Sequence, residues 1–122
     1  MSNLQELKAA AITEVEHRKA ELIRLSDAIH ATPELGFEEH ESAAILTGML
    51  DENGFAVERG VAGLDTAFVA TMTGGTDGPL VAILAEYDAL RGLGHACGHN
   101  IIAAAAVGAG LALKPLLPGL AG

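Results

Sequence analysis

The sequence predicts an α/β fold: two amphipathic helices, an antiparallel hairpin of a mixed sheet, and a buried helix. Three observations carry this reading. Apolar residues recur at helical spacing in the N-terminal stretch, two β-like runs flank a glycine-rich turn, and the last long run is apolar on every face.

Leu4, Leu7, Ala11, Val15, Leu22, Leu25 and Ile29 keep helical spacing, with Glu6, Glu14, His17, Lys19, Glu21 and Arg24 on the other faces. This predicts one long amphipathic helix. Its start has two overlapping capping-box candidates, Ser2 with Gln5 and Asn3 with Glu6, and it should stop near Ala31 because Pro33 disfavours helix at Thr32. A second helix is expected from about Glu38 to Asn53, where Glu38, Glu39 and Glu41 suit the positive N-terminal end and Gly54 suits a left-handed C-cap. Phe55 to Glu58 is a short strand candidate. Thr66 to Met72 and Leu80 to Ala85 flank the turn-rich Gly74-Gly75-Thr76-Asp77-Gly78-Pro79 and should pair as the hairpin. The second of these is apolar on both faces, as in a central strand covered on both sides.

From Ile101 to Leu113 every residue is apolar or glycine, so no face prefers water. The run is shorter than the ~20 residues that span a bilayer. A helix enclosed by protein is the expectation, and two helices with one hairpin cover only part of it. Residues 1–122 therefore read as the N-terminal portion of a larger fold.

Half of the 122 residues are apolar, and aromatic content is only 3%, limited to Phe37, Phe55, Phe68 and Tyr87, so the core must be aliphatic. A net charge of −9 with seven Lys and Arg excludes a nucleic-acid backbone as partner. With one cysteine there is no internal disulfide, and the first residues carry no basic-then-apolar leader, so the cytoplasm is the expected compartment. No membrane partner is expected.

The chemistry concentrates in His95-Ala96-Cys97-Gly98-His99-Asn100, which holds the single cysteine and two of the five histidines. Imidazole and thiolate are ligands of zinc and neighbouring metals. In an extended segment Cys97 and His99, two apart, face the same way, and His99 falls at the N-cap of the last helix. His95 is either a further ligand or a hydrogen-bonding loop residue. Upstream, Glu86 and Asp88 follow the end of an apolar run, where open α/β sheets place their sites. Either could bind metal or fix a ligand histidine's tautomer; the alternatives are a solvated strand end for Glu86 and a turn cap for Asp88. His17, His30 and His40 lie on helices or their ends and read as surface or capping groups.

The ordered segments His30-Ala31-Thr32-Pro33-Glu34-Leu35-Gly36-Phe37-Glu38-Glu39, Gly63 with Thr66-Ala67-Phe68-Val69-Ala70, Glu86-Tyr87-Asp88-Ala89-Leu90 and His95 to Asn100 resemble the aminoacylase and carboxypeptidase-like amidohydrolases of the zinc-exopeptidase clan. The Glu-Tyr-Asp-Ala-Leu and Cys-Gly-His-Asn versions are most similar to the branch of aminobenzoyl-glutamate hydrolase and acyl-dipeptidases. The resemblance implies a two-metal centre, with zinc first and manganese, nickel or cobalt as other candidates. It makes Cys97 and His99 metal ligands and Asp88 the supporting catalytic carboxylate. Glu86 stands where more distant clan members carry a histidine ligand, and Arg91 replaces the usual proline.

The implied reaction is hydrolysis of the amide of N-acyl amino acids or dipeptides. The family's general base, lid and dimerisation domain and final metal-binding histidine are not among these residues, so a chain inactive by itself is expected. The competing readings are a non-catalytic metal-binding or interaction module, a subunit completed by another chain or by a second copy, and a reactive-thiol role for Cys97. Apolar surface left uncovered would favour self-association.

Overall fold

The computed structural model describes residues 3–122. Ser2, one of the two cap candidates, lies outside them. Helix α1 (Leu4–His17) begins on the other capping box, in which Asn3 accepts from the Glu6 amide and the Glu6 carboxylate accepts from the Asn3 amide.

The single long helix expected here is two. At Arg18 the backbone opens to φ −95°, ψ 2°, and α2 (Lys19–Ala31) follows. The half-buried Arg18 guanidinium explains the break: it reaches Glu21 at 3.1 Å and Asn53 at 3.4 Å, which pins the joint to the end of the next helix. Helix α2 ends at Ala31, just ahead of Pro33, as expected.

Helix α3 (His40–Glu52) starts two residues later than expected and ends on Gly54 at φ 86°. Its N-terminus is capped from a distance. The Glu34 carboxylate accepts from the amides of Glu41 and Ser42, at 2.9 and 2.8 Å, and from the Ser42 hydroxyl at 2.8 Å.

The hairpin differs from expectation. Strand β1 (Ala56–Arg59) pairs antiparallel with β2 (Phe68–Thr71), in a register that sets Ala56 opposite Thr71 and Arg59 opposite Phe68. Residues 80–85 form no strand, and Leu80 is 92% exposed. The glycine-rich turn accounts for the change: rather than closing a hairpin, it takes up the last residues of the chain. Gly74 donates to Gly122 at 2.6 Å, Gly75 to Leu117 at 3.0 Å, and Gly122 to Thr76 at 3.0 Å. A Cβ on Gly75 would overlap the Pro118 carbonyl oxygen, so only glycine permits this approach.

Helix α4 (His99–Leu113) runs on into a 3-10 segment (Lys114–Gly119). Together they are long and apolar enough to cross a membrane by length and composition, further than the apolar run alone suggested. Yet α4 is the central core helix. Ala103, Ala104, Val107 and Leu111 lie at i, i+1, i+4 and i+8 and pack with Leu25 and Ile29 of α2 and Leu46 and Leu50 of α3. The expected enclosure on all sides is not found, because the other face, with Ile101, Ile102 and Leu113, is open.

Candidate metal centre

The site forms where two loops meet at the start of α4. One loop, Glu86-Tyr87-Asp88-Ala89-Leu90, is held against Glu34-Leu35: the Ala89 amide donates to the Glu34 carbonyl at 2.7 Å, in a parallel bridge between Leu35 and Ala89. Glu34 thus joins the loop by its main chain and caps α3 by its side chain. Burial pushes the Glu34 carboxyl up, but the bonds from Glu41 and Ser42 outweigh it and hold the group below the usual carboxylate value.

The other loop is His95 to Gly98. Gly98 turns left-handed (φ 79°, ψ 21°) and its amide donates to the His95 carbonyl, so the segment is a turn. The N-cap is therefore Gly98, and His99 is the first helical residue. Because the backbone is not extended there, strand-like alternation does not describe Cys97 and His99; Cys97 is exposed to solvent.

His99 and the upstream carboxylates come together. His99 Nδ1 lies 2.7 Å from Asp88 Oδ1 and 3.1 Å from the Asp88 carbonyl oxygen. Both partners only accept, so Nδ1 carries the proton. Nε2 lies 3.1 Å from Glu86 Oε2. A bare nitrogen lone pair against a carboxylate is repulsive, so this edge of the ring calls for a cation, a proton or a metal ion, between Nε2 and Glu86. Nitrogen and oxygen ligands of one tetrahedral zinc stand about 3.3 Å apart, which the pair nearly matches.

The donor set therefore fits part of a transition-metal shell, with Asp88 fixing the tautomer from behind. Among the described residues no three His, Cys, Asp or Glu side chains converge on one point.

His95 is buried at 7% exposure, and among the described residues neither ring nitrogen makes a well-formed hydrogen bond, although the Ile29 backbone lies near enough to favour the charged ring. Its ring centroid is 6.2 Å from that of the exposed His30. Burial, with the neighbouring imidazoles of His30 and His99, pushes its pKa below the ordinary histidine value. Asn100 locks the helix start in place by donating to Ser26 Oγ at 2.9 Å.

Sequence reasoning missed a second layer behind the loop. The buried Glu39 accepts from the Thr66 hydroxyl at 2.6 Å and from the Phe37 amide at 2.7 Å. The Tyr87 hydroxyl donates to the Thr66 carbonyl. Burial, then the nearby Glu39 carboxylate, pushes the Tyr87 phenol up to about 12, so it remains a donor. All four residues lie within the segments that carried the family resemblance, which was the signal available.

No family model matches the chain. Curated proteins do. Over 131 aligned residues the chain is 34% identical to a subunit of p-aminobenzoyl-glutamate hydrolase from Escherichia coli (strain K12), covering 93% of this chain and 27% of that protein. It is 39% identical to Xaa-Arg dipeptidase of Mus musculus, covering 98% of this chain and 30% of the relative. Against N-acetyl-L-cysteine deacetylase of Bacillus subtilis (strain 168) identity is 33%, over 77% of this chain and 26% of the relative. The chain thus spans less than a third of the length of these relatives. With this homology, it belongs to the aminoacylase and carboxypeptidase-like family of amidohydrolases and peptidases.

Proposed function

We propose that this chain supplies one edge of a metal-dependent amidohydrolase centre that cleaves the amide of N-acyl amino acids or dipeptides. The observation that carries the reading is His99, set with its Nδ1 proton on Asp88 and its Nε2 edge facing Glu86. His99 would offer Nε2 to a divalent ion, zinc first, with Glu86 beside it as a second donor; Cys97, exposed and not converging with this pair, is the further ligand that the family resemblance implies. A second ion would need donors beyond this set. Such an ion polarises an amide carbonyl and acidifies water to the point of attack near neutral pH.

The chain's own residues do the positioning. Asp88 holds the imidazole in one tautomer and orientation, Gly98 turns the loop so that Cys97 and His99 flank the helix start, and Asn100 anchors that start to α2. Among the described residues the two carboxylates beside His99 are engaged with it, Glu86 at Nε2 and Asp88 at Nδ1, which leaves neither free as a general base, so the purified chain is expected to lack amidase activity.

Metal analysis tests the reading. Zinc should bind stoichiometrically to the chain. His99→Ala and Cys97→Ser should remove most of the affinity, and Asp88→Asn should lower it by roughly 10- to 100-fold. Zinc affinity unchanged in all three variants would sink the proposal. Chelator-sensitive hydrolysis by the chain alone would refute the expected inactivity.

A second reading, in which another chain or a second copy completes the centre, is favoured by the exposed, unpaired residues 80–84. The Escherichia coli relative is itself named as one subunit of its hydrolase. A co-purifying chain that raises zinc stoichiometry would support this reading over an isolated module.

A further inference from the structure

We infer that Tyr87, moored through Thr66 to the buried Glu39, is a positioning residue that holds Glu86 and Asp88 on the two edges of the His99 ring; this rests on the metal-centre reading above. His99 meets Asp88 at Nδ1 and Glu86 at Nε2, so its two partners stand on either side of Tyr87 in the sequence. Asp88 sets the proton and Glu86 would share the ion, and a small displacement of either changes the donor geometry. The loop between them must therefore be fixed.

A strand does not fix it. Loops at the end of a strand are ordinarily held by the strand's backbone ladder, but residues 80–85 form no strand, and Leu80 and Leu84 are 92% and 81% exposed. In front, Glu86, Tyr87 and Asp88 border an open cleft of about 240 Å³ rather than packed side chains. Two anchors hold the loop from behind. The Tyr87 hydroxyl donates to the Thr66 carbonyl just before Asp88, and the Ala89 amide donates to the Glu34 carbonyl just after it.

The Tyr87 anchor is rigid. Its ring stacks on Phe68 of β2 with 5.9 Å between centroids. Thr66 is buried and its hydroxyl donates to Glu39 at 2.6 Å, while the other oxygen of Glu39 accepts from the Phe37 amide at 2.7 Å. A buried carboxylate is costly unless its oxygens are bonded, so Glu39 demands both donors in place. That demand reaches the backbone: Phe37 sits at φ 69°, in the left-handed region that disfavours a side chain, with its ring 74% exposed. Strain of this kind persists where the surroundings impose it, and it concentrates at functional sites. A network that merely filled space would need neither the carboxylate nor the strain.

Tyr87→Phe isolates the anchor, because it removes the hydroxyl and keeps the ring on Phe68. Zinc affinity should fall roughly three- to tenfold, as for one lost hydrogen bond. The visible absorption bands of the cobalt-loaded chain, which report ligand geometry and not stability, should shift. In the metal-free chain at alkaline pH, where an ordinary imidazole is neutral, the nitrogen NMR shifts of the His99 ring should move from a proton fixed on Nδ1 to a mixture of tautomers. Thr66→Val should act in the same direction, and Thr66→Ser, which keeps the hydroxyl on Glu39, should restore the wild-type values. Wild-type affinity, bands and ring shifts in Tyr87→Phe, or equal effects of Thr66→Ser and Thr66→Val, would overturn the inference. Cobalt bands absent from the wild type, or unmoved by His99→Ala, refute the metal reading instead, and the ring shifts of the metal-free chain still decide the role of Tyr87.

Discussion

The two sides of α4 carry the same kind of side chain and meet opposite environments. On one, Leu111 is 0% exposed and Ala103, Ala104 and Val107 are buried; on the other, Ile101 is 63% exposed and Ile102 and Leu113 are open. Composition cannot distinguish them, since the helix has no polar face. What separates them is spacing against the neighbours: α1, α2 and α3 all pack on α4 from one side. The outer side and residues 80–84 are apolar surface of a kind that monomers rarely expose. The lesson is that hydrophobicity assigns a residue to an interior, while only the partner elements say which interior.

The comparison can be broken most severely at Leu111. Leu111→Ala should cost about 2–5 kcal/mol in urea unfolding, whereas Ile101→Ala should cost less than about 0.5 kcal/mol. Equal losses would show that the outer side is covered.

Glu34→Ala probes the polar counterpart of the inner packing and should cost about 1 kcal/mol through the lost cap of α3. The wild type also has a pH signature. Because Glu34 titrates below its usual value of 4.5 in the folded chain, its stabilisation is present above that value and disappears as pH falls through the lower folded one. Acid unfolding curves of Glu34→Ala should lack that component.

His95→Leu tests a buried imidazole with no well-formed hydrogen bond among the described residues, and should change stability by less than about 1 kcal/mol. A larger loss would reveal a bonded role for the imidazole. The smallest effect belongs to the open side. Leu80→Glu combined with Val81→Lys should leave stability within about 0.5 kcal/mol while reducing self-association in sedimentation velocity.

Helix ends were legible because their signals are local: the Asn3 and Glu6 capping box, Pro33 after α2, and Gly54 after α3. The break at Arg18 was not, since its cause is a contact with Asn53 from another helix. Strand pairing failed for a related reason. Residues 68–71 could pair with either neighbour, and the docking of residues 117–122 on the glycine turn decided against 80–85. Of the residues singled out by type and order, the structure brings Asp88 and His99 within 2.7 Å of each other. The turn at Gly98 hid the true relation of Cys97 to His99, and Glu39 was invisible because its partner Thr66 is distant in sequence.

Glu34 has a consequence in time as well as in space. Its carbonyl holds the loop at Ala89, the residue after Asp88, and its carboxylate carries the first turn of α3, so one residue joins the two. Fluctuations of helix and loop are thereby locked in phase. The amides of Ser42 and Ala89, far apart along the chain, should exchange with solvent as members of one cooperative opening unit, so the loop inherits the lifetime of the helix.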